Sequence, residues 1–500
     1  MSQITEVVKL RRKVLTEVAK LTFNDQLKEE VESILTSVVT EDGPRYRCCV
    51  HKERAVLRGR IDLALSRPMN ESIAEAAENA VAGDVAADMP IINVIDEACD
   101  QCPIDKFIVT DACRNCIAHH CIASCPKKAI TVYQNRAYID KTKCVECGLC
   151  KKACPYGAII EISRPCERAC DLGAIKAGQD RKAVIDYDRC VQCGACKTAC
   201  PFGAIGERSY IVQLIQQMKQ GKKVIAMVAP AFVGQFGAKV TAGQLFAALQ
   251  KIGFHDVYEV ALGADMVTLE ETQEFIDSVP TQRNYMTTSC CPAFVGMIEK
   301  HLPDIANHVS STVSPMVATG RVAKHEVPGA VTVFIGPCTA KKVEASKYDD
   351  AVDYVLTYEE LAAMFVGAGI NVTEMADDGY APKSSRHGAI FARAGGVLES
   401  VLETATEKGL ADRLNAQRCD GLANCKQQLL LMKVGKSDTN FMEGMACSGG
   451  CVGGPGTLTD PRVTGKLVEN YAKTSEAMLA EQNDRAQQEL KQTKMHRDHH

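Results

Sequence analysis

Apolar positions recur at near-helical spacing at the start of the chain. Ile4, Val7, Val8, Val14, Leu15, Val18 and Leu21 mark one face of a helical stretch within residues 4–36. Asp42, Gly43 and Pro44 stop that pattern, and AEAAENAVAGDVAADMP (74–90) reads as a helix running into a linker. Between them, RCCVHKERAVLRGR (47–60) is basic and is expected to be a solvated helix face, with contact to a partner as the alternative. Beyond residue 200 the pattern changes. KKVIAMVAP (222–230), NYMTTS (284–289), VTVFIGP (331–337) and VDYVLT (352–357) read as buried strands. TAGQLFAALQKIG (241–253) and TYEELAAMFVGAG (357–369) read as helices beside them. Strands alternating with helices predict parallel sheets, whose ligands gather at the carboxyl ends of the strands. From about 470 the sequence is polar and predicts a helix that frays, with the last histidines at a solvated end.

Composition narrows the class. Five hundred residues with 46% hydrophobic content suffice for two or three domains. A net charge of −4, no tryptophan and 5% aromatics argue against nucleic-acid recognition. No run approaches the roughly 18 apolar residues of a membrane span. The opening MSQITEVVKLRRKVLTEVAK is interrupted by charges throughout, unlike a signal peptide. Cysteine is the outlier, with 25 residues. In a long chain with these features, clustered cysteines point to metal or redox chemistry in a reducing, cytoplasmic compartment rather than to disulfides.

Sixteen of those cysteines fall between residues 99 and 200. CVECGLCKKACP (144–155) and CVQCGACKTACP (190–201) both match C-x2-C-x2-C-x3-C-P. Three cysteines on a tight loop serve three corners of a 4Fe–4S cubane, and the fourth reaches the other cluster of a pair. A zinc ribbon would not need the third and fourth cysteines at these spacings. CRNCIAHHCIASCP (113–126) is a looser third run. Crossing the fourth ligands places one cluster on Cys113, Cys116, Cys121 and Cys154, and another on Cys144, Cys147, Cys150 and Cys125. CERAC (166–170) resembles the back half of such a motif, and CDQC (99–102) supplies a front half far upstream. A third cluster then takes Cys190, Cys193, Cys196 and Cys170, and a fourth takes Cys99, Cys102, Cys166 and Cys200. One ferredoxin unit is thereby inserted within another. Three clusters, with Cys99 and Cys102 as spares, is the alternative.

Five further cysteines lie in three loops: TSCCPAF (288–294), GPCTAKKVE (336–344) and EGMACSGGCVGGPG (443–456). Together these three motifs resemble the signatures of iron-only (FeFe) hydrogenases, and the resemblance spans roughly residues 95 to 465. It implies an α/β catalytic domain with parallel sheets over 209–465, preceded by an α+β ferredoxin-like multi-cluster domain over 96–208. A helical N-terminal segment (1–95) and a polar helical tail (466–500) flank these. It also implies reversible reduction of protons to H2, with hydrogenase maturation proteins and ferredoxin or a similar one-electron carrier as partners, in a monomeric, ferredoxin-linked branch.

By the same resemblance, Cys291, Cys338, Cys447 and Cys451 hold a 4Fe–4S subcluster. Cys451 bridges to a diiron subcluster with CO, cyanide and a dithiolate bridge. Cys290 turns the other way and moves protons, since a thiol pKa near 8.5 suits acid–base work. Lys341 addresses a cyanide ligand with Glu344 as its partner, and Met445, Pro230 and Ala231 line the pocket. Glu271, Glu274 and Ser310 carry protons outward. The chain departs from the family pattern at Phe294 (usually tryptophan), Gly336 (methionine), Met316 (glutamine) and Ser278, where a terminal arginine is common. Cys419 and Cys425 match no ligand motif and are expected to be buried free thiols. A hydrogen sensor, or an iron–sulfur scaffold or electron carrier lacking the diiron site, are the other readings. A nicotinamide or flavin enzyme is disfavoured because no Gly-rich fingerprint follows a strand.

Overall fold

The computed structural model describes residues 4–86, 88–100, 102 and 106–497. The terminal His499 and His500 lie outside these. Two parallel sheets organise the C-terminal half. The first runs in the spatial order Asp256–Glu259, Val224–Val228, Val331–Gly336, Tyr354–Thr357. The second runs Met286–Thr287, Phe441–Met445, Ala416–Asp420. Every residue of Val224–Val228 is buried, as a central parallel strand covered on both faces requires.

All four expected strands form. The unforeseen ones are Asp256–Glu259 and Ala416–Asp420, polar strands at sheet edges, and Phe441–Met445, which lies inside the EGMAC motif. The helices Ala242–Ile252 and Tyr358–Gly367 form as read, each begun by a threonine capping box that satisfies free amide groups of the first turn.

The N-terminal helices join the same core. Val14 and Val18 of the Glu6–Phe23 helix, Ile61 of the Val50–Ala64 helix, and Ala226 and Leu361 of the α/β region belong to one buried cluster. The RCCVHKERAVLRGR segment is therefore not a solvated face. Val56 and Leu57 are buried, and Arg60 donates to the Gly203 carbonyl at 3.2 Å. The polar tail also departs from expectation. It breaks into short helices, Ala480–Gln482 and Asp484–Leu490, and packs rather than frays. Ala480 and Ala486 are fully buried, and Asn483 donates to Asp265 at 2.7 Å. A polar sequence hides this docking because a few alanines carry it.

The cysteine-rich region is built as a pair of brackets. Ile92–Val94 pairs with Ile205–Glu207, enclosing the hairpin Ile175–Ala177/Ala183–Ile185. Phe107–Val109 pairs with Ile159–Glu161, enclosing Ile130–Tyr133/Arg136–Ile139. The second set lies wholly between Val94 and Ile175, so one strand–hairpin–strand unit sits inside another.

Candidate metal centre

Each of the three motifs leaves the carboxyl end of a strand. TSCCP follows Met286–Thr287, Pro337 and Cys338 follow Val331–Gly336, and Ala446 and Cys447 follow Phe441–Met445. They converge on one cavity lined by Cys291, Cys338, Cys447 and Cys451, and also by Cys290, Lys341, Met445, Pro230 and Ala231. The rest of the wall is apolar, including Met316, Phe334 and Phe391. Gly450, in the left-handed region at φ 88°, brings its chain so close that a Cβ there would lie 2.4 Å from the Ala394 nitrogen. Glu443 anchors the strand beneath by accepting the Gly395 and Leu398 amides, both at 2.7 Å.

Lys341 is the cavity's one charged group among the described lining residues, and it is buried. Its Nζ donates to Glu344 at 2.6 Å and to the Cys290 carbonyl at 3.2 Å. Burial disfavours the ammonium, but Glu344 outweighs it and holds the lysine pKa above its ordinary value. The Ala446 amide donates to Cys291 Sγ at 3.4 Å. Cys290 is also buried; burial, then Glu271 and Cys291, push its thiol up.

A polar line leads outward along the Ala261–Ser278 helix. Glu271 is fully buried and accepts the Ser289 amide at 3.0 Å. Burial pushes its carboxyl to about 7. The Ser310 hydroxyl donates to Glu274 at 2.7 Å, and the Ser311 amide at 2.8 Å. Burial raises Glu274, but Ser310, Ser311 and Arg283 outweigh it and hold this carboxyl below its usual range. Arg283, which the sequence did not single out, stands at the outer end. Its Nη2 donates to Glu274 at 2.6 Å and its Nε to Ser278 at 2.9 Å. The chain thus lacks arginine at 278 but returns one from five residues on, past the helix end. Glu274, Arg283 and Ser289 line a wide cavity of about 800 Å³, and Glu344 lines it too.

Two departures are matched by neighbours. The Phe334 ring fills the space over Gly336, where a Cβ would lie 2.4 Å from it. The buried Phe294 ring likewise sits on Gly444, 2.3 Å from a Cβ there. Met316 lines the cavity itself. Of the two unassigned thiols, Cys425 is buried and Cys419 partly so.

Many of the sixteen cysteines between 99 and 200 lie beside one another in groups. Burial pushes Cys166 up to about 11, and Cys200 and Cys102 add to it. Cys102 responds in turn to Cys200 and Cys99. Cys190 and Cys193 are each raised by burial and then by Cys170 among other neighbours. Cys121 is raised by burial and by Cys154 and Cys113, and Cys150 by burial and by Cys144 and Cys147. The amide pattern repeats between the two units. Ala137 donates to Cys113 Sγ at 3.5 Å as Ala183 does to Cys99 Sγ at 3.2 Å. Ala129 donates to Cys125 at 3.3 Å as Ala174 does to Cys170 at 3.3 Å. CDQC therefore holds, in the outer unit, the place that CRNC holds in the inner one.

This donor chemistry fits iron–sulfur clusters. Among the described residues no three His, Cys, Asp or Glu side chains converge closely enough for a single metal ion. An ion draws its thiolates to about 2.3 Å, whereas a cubane takes each on a different iron. Backbone amides directed at the cysteine sulfurs suit the second case. No described helix is long and apolar enough to cross a membrane.

Comparison with known proteins agrees. The family described as iron only hydrogenase large subunit, C-terminal domain, matches residues 222–455. The 4Fe-4S binding domain matches 137–160 and 183–206. The chain is 33% identical to the periplasmic Fe hydrogenase large subunit of Nitratidesulfovibrio vulgaris, over 65% of this chain and 87% of that one. It is 30% identical to iron hydrogenase 1 of Clostridium pasteurianum, over 66% of each. A weaker likeness, 27% over 49% of this chain and 64% of the other, is to cytosolic iron-sulfur assembly component 3 of Bos taurus. With the three cysteine loops meeting in one cavity behind two iron–sulfur motifs, the chain belongs to the iron-only hydrogenase family.

Proposed function

We propose that this chain is a hydrogenase, interconverting two protons and two electrons with H2, and that electrons travel along four accessory 4Fe–4S clusters on the sixteen cysteines of residues 96–208. The carrying observation is the meeting of Cys291, Cys338, Cys447 and Cys451 with Cys290 and Lys341 in one buried cavity. The first four would hold a cubane, with Cys451 shared with a diiron subcluster. That group, with its CO, cyanide and dithiolate ligands, supplies the site at which the H–H bond is made or broken.

The chain's own residues do the rest. The apolar wall excludes water and strengthens every charge inside. Lys341 spends two of its three N–H groups on Glu344 and Cys290, which leaves one to donate into the cavity to a small anionic ligand. Cys290 holds a transferable proton at the cavity wall. Glu271, at about 7, is poised to take it up or return it near neutrality. Ser310 and Glu274 carry it on, and Arg283 marks the exit to the wide outer cavity.

A pure cubane holder, the second reading favoured by the assembly-component relative, needs neither Cys290 nor the Lys341–Glu344 pair. Infrared spectroscopy on protein matured with the diiron cofactor separates the two. Sharp CO and CN stretches that respond to H2 and vanish in Cys451→Ala are expected. Their absence with iron–sulfur absorbance intact would leave a scaffold or electron carrier.

A further inference from the structure

The two cluster units share a ligand plan and differ in the charges around it. CPFG (200–203) in the outer unit answers to CPYG (154–157) in the inner one, and CERAC (166–170) answers to CIASC (121–125). The amides of Ala183 and Ala137 donate alike to Cys99 and Cys113, at 3.2 and 3.5 Å. Around the outer set, however, two guanidinium groups are packed in. Arg60, from the Val50–Ala64 helix, lies on the turn after Cys200 and donates to the carbonyls of Phe202 at 3.5 Å and Gly203 at 3.2 Å. Among the described residues it has no carboxylate partner, since Glu359 and Asp100 are held by its neighbours Arg11 and Arg47. Burial, then Arg11 and Arg47, lower its pKa to about 10 while Cys200 opposes the fall, so Arg60 stays charged at neutral pH.

Arg164, two residues before Cys166, is only 3% exposed. Its Nη2 donates to the Arg181 carbonyl at 2.6 Å, and Glu167 stands 4.0 Å from its Nε. Its Nη1 is buried with no hydrogen-bond partner among the described residues. Cys102 feels this charge: burial raises its thiol, and Arg164 is the next largest influence and lowers it. In the inner unit neither place holds a guanidinium. His119 stands where Arg164 does in the outer one, tied to Asn115 at 3.2 Å, and Tyr156, the counterpart of Phe202, is 56% exposed. A Cβ on Gly203 would meet Arg60 Nη2 at 2.5 Å, whereas one on Gly157 would meet nothing within 4 Å.

A buried guanidinium without a carboxylate and a buried N–H without an acceptor are both costly. A cubane on four thiolates is an anion that gains one more negative charge on reduction, and its potential follows net charge and the hydrogen bonds to its sulfurs. We propose that Arg60 and Arg164 are the counter-charges of the cluster on Cys99, Cys102, Cys166 and Cys200, with the spare N–H of Arg164 donating to it. Together they raise its reduction potential above that of the inner counterpart on Cys113, Cys116, Cys121 and Cys154. The N-terminal helix is thereby part of the electron path. On reduction this cluster takes one electron from a neighbouring accessory cluster, which is oxidised by one, and both arginines keep their protons. Electrons then gather in the outer unit, whose other cluster reaches the catalytic cavity through Cys193. The inference rests on the four-cluster reading above, but not on hydrogen chemistry.

Redox titration of the cluster-loaded protein followed by electron paramagnetic resonance tests it, with Cys102→Ser and Cys116→Ser assigning the outer and inner signals. In wild type the outer cluster is expected to titrate at the higher potential. Arg60→Gln and Arg164→Gln should each lower that midpoint. At the wild-type midpoint the reduced-to-oxidised ratio should fall by about tenfold, equivalent to about 59 mV for one electron. Arg164→Lys should restore part of the fall. Arg58→Gln, which removes an exposed arginine from the same helix as Arg60, should leave the midpoint in place. An unmoved midpoint in either Gln variant at full iron content, or an equal shift in Arg58→Gln, overturns the proposal. If those variants lose iron, the wild-type order decides, and an outer midpoint at or below the inner one overturns it. These failures leave the four-cluster reading standing, whereas unchanged iron content and signals in Cys102→Ser would sink both.

Discussion

Cys291 takes an amide hydrogen bond from Ala446, while its chain neighbour Cys290 sits in the field of Glu271 and lends its carbonyl to Lys341. Extended backbone sends successive side chains to opposite sides, and the function proposed above assigns the two neighbours different tasks, ligand for Cys291 and proton carrier for Cys290. Cys290→Ala is expected to lower hydrogen turnover by about 10² or more, the scale of a lost general acid–base, while cluster absorbance and infrared bands persist. Arg283 was not legible because the arginine expected at 278 arrives from beyond the helix end. Arg283→Ala removes a charge that holds the Glu274 pKa down, so the limb of the pH–rate profile that reports Glu274 should move to higher pH. Arg283→Lys should restore part of that movement.

At the scale of elements, continuous apolar runs such as Val224–Val228 were readable because central parallel strands leave no polar face. Ala416–Asp420 was not, since an edge strand keeps polar positions. The exchange of bulk between Phe334 and Gly336 was also invisible: the sequence shows a missing methionine, and only the fold shows a ring occupying the vacated space. Gly336→Ala should cost about 1–3 kcal/mol by overpacking, measured by denaturant unfolding of the cluster-loaded protein. Adding Phe334→Leu should recover a good part of that loss, a non-additivity expected of residues in contact.

At the scale of the molecule, Glu359 ties three regions together. Arg11 of the first helix donates to it at 2.8 Å, Arg12 at 3.1 Å, and Lys197 of the cluster loop lies 3.6 Å away. Burial opposes its charge, but Lys197 and Arg11 prevail and hold its carboxyl at about 2. With a folded pKa below the unfolded value, its contribution is full above about 4.5 and is lost as pH falls toward 2, on the order of 3 kcal/mol. Glu359→Gln should therefore flatten the acid limb of the stability–pH curve, followed by thermal melts from pH 7 downward. None of this network was legible, because its three regions stand more than a hundred residues apart in the chain.

The bracketed cluster region has a consequence for how the protein is made and how it arose. The inner unit's two ends meet, since Ile162 donates its amide to the Lys106 carbonyl at 2.6 Å. On the ribosome the outer unit's first strand must wait, unpaired, until the whole inner unit has emerged, so the inner one closes first. An ancestor need only have received one contiguous stretch of gene, and a chain excised of 106–161 should still close its remaining unit, whose own strand pairings use none of those residues.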